Sequence, residues 1–98
     1  MRSAKPFRLS VPAARAILKG VTEGKEALRI TDHAAERMEQ REVSRDDILA
    51  AFVLGVVTEG PSMTPHGDWK LTVERRATGL QVSVAIELPS TAVIVTVI

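Results

Sequence analysis

Apolar residues recur at two different spacings along this chain, and the change between them divides it. In "LSVPAARAILKGVTEG", Val11, Ala14, Leu18 and Val21 fall three or four residues apart, with Ile17 beside them. That is one face of a helix. Ser10 is positioned to cap it, Pro12 falls in the first turn where proline is tolerated, and Gly20 or Gly24 ends it. "KEALRIT" reads as a short extended link. A second helix starts at Thr31 or Asp32 with a thin stripe of Ala34, Ala35 and Met38. A third follows Ser44, with Asp47 three residues on in a near capping box. Its expected buried face is Ile48, Leu49, Phe52 and Val53, and Gly55 stops it.

Beyond Gly55 the period becomes two. "VVTE" is a short candidate strand and "EGPSMTPHGD" a loop by its Gly and Pro content. Trp69, Leu71, Val73 and Arg75 share one side of the next segment. Leu80, Val82, Val84, Ile86 and Leu88 share one side of the following one. "TAVIVTVI" is apolar on both sides, as a central strand would be. The links "RATG" and "LPST" have hairpin length. The expected fold is α+β: two to three N-terminal helices packed on one antiparallel β-meander of three to four strands. At 98 residues the chain is expected to be a single domain, 1–98, with residues 1–9 poorly ordered.

Composition narrows the chemistry. With no cysteine there is no disulfide, thiolate metal site or cysteine nucleophile. His33 and His66 are the only strong nitrogen ligands and no metal motif surrounds them, so neither metal nor cofactor is expected. No segment approaches the roughly 20 apolar residues of a membrane span, and no signal-peptide pattern opens the chain, so a cytoplasmic protein without membrane contact is expected. The net charge of +1 is uneven. Residues 1–30 hold seven Lys/Arg against two Glu; residues 31–60 hold three against seven acids. A basic first third suits a nucleic-acid backbone, or simply a solvated start to the chain.

The helix–turn–helix at 30–47 does not suit DNA. Its second helix begins "SRDDILAAF", with two acids at the start and an apolar remainder, whereas groove contact needs positive charge. The first helix instead carries His33, Arg37 and Arg41 four residues apart, where like charges mildly repel. One reading is structural. Asp32 and Glu36 near the start and Arg41 near the end suit the helix dipole, and the arginines pair with acids elsewhere. The other is a phosphate site. Two guanidiniums fork onto phosphate oxygens. A histidine moves a proton near neutrality. These are the parts for cutting RNA at its own 2′-hydroxyl without a metal.

The ordered set His33, Arg37-Met38, Arg41, Gly55 and Thr96-Val97, with "GDWKLTV" between, resembles the small bacterial proteins grouped as domain of unknown function 4258, over roughly residues 28–98. The resemblance implies a compact α+β domain related to the barnase, EndoU, colicin and RelE nucleases. Its members are often regarded as toxins of toxin–antitoxin pairs, similar to RelE-like and MqsR-like messenger-RNA interferases. On that likeness His33 would be the acid or base, Arg37 and Arg41 the phosphate clamp, and Thr96 a hydroxyl lining the site. Arg75 and Lys70 are further candidate cations, on opposite sides of their strand, with Arg75 placed for the rim of a cleft. Thr96 shares parity with Ala92, Ile94 and Ile98 and serves equally as a strand residue. His66 either completes an acid–base pair or is an exposed loop residue. Trp69 either stacks on a base or anchors helices to sheet. The expected function is a metal-independent endoribonuclease toxin acting on RNA, with ribosome-bound messenger as one candidate substrate, and countered by an antitoxin. The alternative is a non-catalytic module holding RNA or an acidic partner segment.

Overall fold

The computed structural model describes residues 8–88 and 91–98. In chain order the elements are α1 (Val11–Thr22), β1 (Ala27–Ile30), α2 (Asp32–Gln40), α3 (Arg45–Leu54), β2 (Val56–Met63), β3 (Trp69–Arg75), β4 (Leu80–Glu87) and β5 (Thr91–Val97). The protein is an α+β domain with three helices and one five-stranded sheet of order β1-β5-β4-β3-β2. Neighbouring strands β2 to β5 are antiparallel, while β1 pairs parallel to β5.

Local signals set the helix limits. Ser10 Oγ accepts from the Ala13 N–H at 3.1 Å and Pro12 sits in the first turn of α1. The helix stops at Thr22, with Gly24 just beyond it at φ 77°, a conformation that glycine adopts without a Cβ clash. In α3 the capping box is complete: Ser44 Oγ accepts from the Asp47 N–H at 3.1 Å, and Asp47 Oδ2 accepts from the Ser44 N–H at 2.8 Å. Gly55 ends α3 because the backbone is crowded there. A Cβ would strike the Ala51 carbonyl and come within 2.8 Å of the Glu74 carbonyl.

The helices share one face of the sheet. Packing joins α2 to β5, α3 to β3 and β4, and α1 to α3, β2 and β5. Leu18, Ile48, Leu71, Ile86, Ile94 and Val97 are among the largest side chains closed from solvent between these layers. Burying each such side chain is worth about 1.5–3 kcal/mol. Trp69 is 5% exposed within this core, where it anchors the layers. The last turn of α3 departs from expectation. Val53 is 56% exposed, because the buried stripe runs through Ile48, Ala51 and Phe52, and Val53 lies about 100° round the helix from Phe52.

Three strand features differ from the sequence reading. "KEALRIT" contains β1, a fifth strand, which makes the sheet mixed. Four residues offer too short a run for period two to register, and the partner lies more than sixty positions away. β2 continues through "EGPSM", read above as loop, by way of two register shifts, and Pro61 is accommodated because β2 is an edge strand. Finally, β5 carries a bulge. Ser83 pairs with Thr96 but Val84 pairs with Ile94, leaving Val95 as the extra residue. Of the segment 1–9 expected to be poorly ordered, residues 1–7 lie outside the described residues, and Leu9 is buried in the core. The link at 88–91 includes Pro89 and Ser90, also outside the described residues. Among the described residues no helix is long and apolar enough to cross a membrane.

Candidate functional site: a cleft between the α2–α3 turn and the β3–β4 hairpin

The end of α2 is built around a residue in an unusual backbone conformation. The Val43 N–H donates to the Met38 carbonyl at 2.8 Å and the Glu42 N–H to the Glu39 carbonyl at 3.2 Å. This double closure is a Schellman motif, and its αL position normally takes glycine. Here that position is Glu42, at φ 55°. Val43 packs against the core cluster that includes Met38. The motif therefore turns the chain tightly from α2 into α3 and leaves Arg41 and Glu42 at the corner.

The β3–β4 hairpin approaches the same corner. Its turn closes on one acceptor: the Arg75 carbonyl accepts from the Gly79 N–H at 2.9 Å and from the Thr78 N–H at 3.2 Å. Gly79 has φ 75°. The Ile98 N–H donates to the Gln81 carbonyl at 2.9 Å, which carries the end of the chain alongside. Between hairpin, corner and Ile98 lies a cleft of about 380 Å³, lined by Arg41, Glu42, Val43, Asp47, Arg75, Thr78, Gly79, Leu80 and Ile98.

Two of the expected cations meet there. Arg41 lies at the C-cap of α2 and Arg75 at the end of β3, on the helix side of the sheet with Trp69, Leu71 and Val73. Among the described residues, neither side chain forms an ion pair or a hydrogen bond. Arg75 is half-buried, and its Nε is closed from solvent without a partner. Leaving such a donor unpaired costs about 1–3 kcal/mol. Asp47 is the nearby acid. The Ser44 backbone and hydroxyl bonds hold its carboxyl below the usual range, and the Arg75 charge adds to this. Yet its Oδ2 is engaged in the capping box rather than paired with Arg75.

The other expected residues fall elsewhere. Arg37 is half-buried one turn back along α2, also without an ion pair among the described residues. His33 is exposed in the first turn of α2. Eight residues separate it from Arg41, about 12 Å along a helix axis. It does not line the cleft. Thr96 lies on the other face of the sheet. The Val95 bulge shifts its parity, so that it pairs with Ser83 while Val97 takes the core position. Lys70 is exposed on that same far face, next to Ala85 of β4. His66 sits in the turn before β3, at the opposite end of that strand from Arg75, about 20 Å away at roughly 3.3 Å per residue. It is therefore not the acid–base partner of this cleft.

Sequence reasoning missed Glu42 and Asp47 as cleft residues. Asp47 was legible only as a cap. Glu42 carried one signal: it occupies the place after Arg41 where a helix stop calls for glycine. Arg15 was also missed; its Nη1 donates to the Gly55 carbonyl at 3.0 Å and ties α1 to the end of α3. Among the described residues, no group of three His, Cys, Asp or Glu side chains is placed to hold a metal.

Fold and site together define a small α+β domain with two unpaired arginines facing one cleft. The chain belongs to a family known as a domain of unknown function (DUF4258), whose model matches residues 30–98. The match begins at the end of β1 and takes in α2, α3 and every residue of the cleft. No curated protein and no solved structure matches the chain significantly.

Proposed function

We propose that this chain binds single-stranded RNA through its sugar–phosphate backbone, with Arg41 and Arg75 as the clamp on one phosphate. One observation carries the reading. Two guanidiniums from positions 34 residues apart in sequence converge on one cleft, and neither forms an ion pair with a carboxylate among the described residues. Arg41 is exposed, but Arg75 is half-buried with its Nε closed from solvent, and such a donor is normally paired. An anion with several acceptor oxygens satisfies both groups at once, and arginine suits forked contact with phosphate. Arg37 extends the same track along α2, about 6 Å on, and His33 stands about 6 Å beyond it as the candidate proton-transfer group rather than a phosphate ligand. A strand lying along the helix would present one phosphate to the clamp and the next towards Arg37.

The endoribonuclease reading is the stronger form of this proposal. It requires a phosphate at the His33 end of the track, because His33 is the histidine on α2 and lies outside the cleft. The toxin role and the antitoxin partner stand or fall with that form.

Fluorescence anisotropy on a labelled RNA dodecamer tests the proposal. Affinity should fall steeply between about 50 and 200 mM salt, as counterion release requires. Arg41→Ala and Arg75→Met should each weaken binding about tenfold. His33→Ala should leave affinity unchanged. A glutamate-rich peptide that competes as well as RNA would replace RNA by an acidic protein segment as the ligand. Incubating the same mixtures with EDTA and mapping the products decides the catalytic form. Cuts that disappear in His33→Ala while binding persists support it, and intact RNA with the wild-type protein eliminates it.

A further inference from the structure

We infer that Glu42 makes the cleft a ribose-phosphate site, reading the 2′-hydroxyl beside the clamped phosphate and so selecting RNA over DNA. The inference rests on the phosphate-clamp reading above. Glu42 is adjacent to Arg41 and lines the same cleft as Arg75. Its backbone is held at φ 55°, a region that L side chains with a Cβ rarely adopt. Its carboxylate is exposed and makes no hydrogen bond or ion pair among the described residues, so the side chain itself does nothing to offset the strained backbone, which the Schellman bonds alone hold. Strain of this kind, where glycine would serve the helix stop better, points to use of the side chain itself.

The charges in the cleft specify the ligand further. Arg41 and Arg75 oppose Glu42 and Asp47, so the cleft is not a general anion trap. Asp47 has its Oδ2 engaged with the Ser44 N–H, which leaves Glu42 as the cleft carboxylate with both oxygens unbonded among the described residues. A bare phosphate beside Glu42 is repelled by the carboxylate. A ribonucleotide offsets that repulsion, because its 2′-hydroxyl places a donor between carboxylate and phosphate. The 2′-hydroxyl is the group by which a protein distinguishes RNA from DNA. Deoxyribose leaves the carboxylate unpaired against the phosphate, so DNA is both deprived of a contact and actively opposed.

The test compares four labelled dodecamers of one sequence: RNA, DNA, 2′-O-methyl RNA and 2′-fluoro RNA. The 2′-fluoro strand keeps the sugar shape of RNA without the donor. The wild-type protein should bind RNA about tenfold more tightly than the other three. Glu42→Gly, which the backbone accepts without strain, should bring all four within about twofold of one another, with DNA bound as well as or better than before. Glu42→Ala should behave in the same way. Equal binding of RNA and 2′-fluoro RNA by the wild type overturns the inference, as does an RNA preference that persists in Glu42→Gly. Either result leaves the clamp intact if Arg41→Ala and Arg75→Met still weaken binding. A wild-type protein that binds none of the four strands removes the clamp reading and this inference together.

Discussion

The two ends of the sheet handle their polar groups in opposite ways. At the end before β3, the turn is self-contained. Thr64 Oγ1 donates to Asp68 Oδ1 at 2.6 Å, the Thr64 N–H donates to the Asp68 carbonyl at 2.8 Å, and the Gly67 N–H donates to the Thr64 carbonyl at 3.0 Å. His66 is held there by its own N–H, which donates to Thr64 Oγ1 at 3.2 Å. The Thr64 and Asp68 side chains are both used to fix the turn. At the other end the hairpin and the Schellman turn are equally well closed in the backbone, yet the side chains of Arg41, Glu42 and Arg75 are left over. Satisfied polar groups explain themselves by stability. Unsatisfied ones gathered in a cleft call for a partner. On the proposed reading the arginines at this second end are ligand groups, whereas His66 lies exposed in a turn that Thr64 and Asp68 hold by themselves.

That contrast can be broken by mutation. The largest effect belongs to neither end. Leu71→Ala, midway along β3 and 2% exposed, should cost about 2–5 kcal/mol in urea unfolding and so sets the scale of a purely structural loss. Arg75→Met separates stability from binding. It removes an unpaired buried donor while keeping an apolar stem, so stability should stay within about 1 kcal/mol of the wild type or rise. RNA affinity should nevertheless drop. A loss of several kcal/mol on unfolding would show Arg75 to be a structural residue, and the two ends would then be alike. Glu42→Gly should raise stability by about 1 kcal/mol, because glycine adopts φ 55° freely. A fall in thermal midpoint would mean that the carboxylate supports the fold.

The smallest effect lies at the satisfied end and depends on pH. The hydrogen bond from Thr64 holds the Asp68 carboxyl below its usual value of 3.8. A depressed carboxylate contributes stability above the unfolded pKa and loses it as pH falls through the folded one. Asp68→Asn should therefore be less stable than the wild type near pH 7, and the gap should narrow as pH falls below 3.8. Asp47 titrates in both proteins and cancels from the difference. RNA binding near pH 7 should be the same in both. A change in affinity would mean that the two ends are coupled.

Much of the frame was legible beforehand, since its causes are local. Ser10, Ser44, Asp47 and Gly55 act on backbone within a few residues, and the shift from helical spacing to alternation after Gly55 marks the passage from helices to strands. What escaped was set by distant partners. β1 exists because β5 offers an open parallel edge, which a four-residue segment cannot announce. Thr96 was placed by counting in twos, and one bulged residue, Val95, moved it to the far face.

The candidate site divides along the same line. The sequence by itself determined that α2 carries a row of basic side chains, that Arg75 shares a face with the core residues of β3, and that no cysteine chemistry is open to the protein. Spacing along one helix or one strand suffices for such statements. Only the tertiary structure decided that Arg41 shares a cleft with Arg75 and not with His33, that Glu42 takes the left-handed corner, and that Thr96, Lys70 and His66 stand apart from the cleft. Those relations depend on strand register and on the packing of α2 and α3 across the sheet. Register is a long-range property, fixed when many weak contacts are satisfied together.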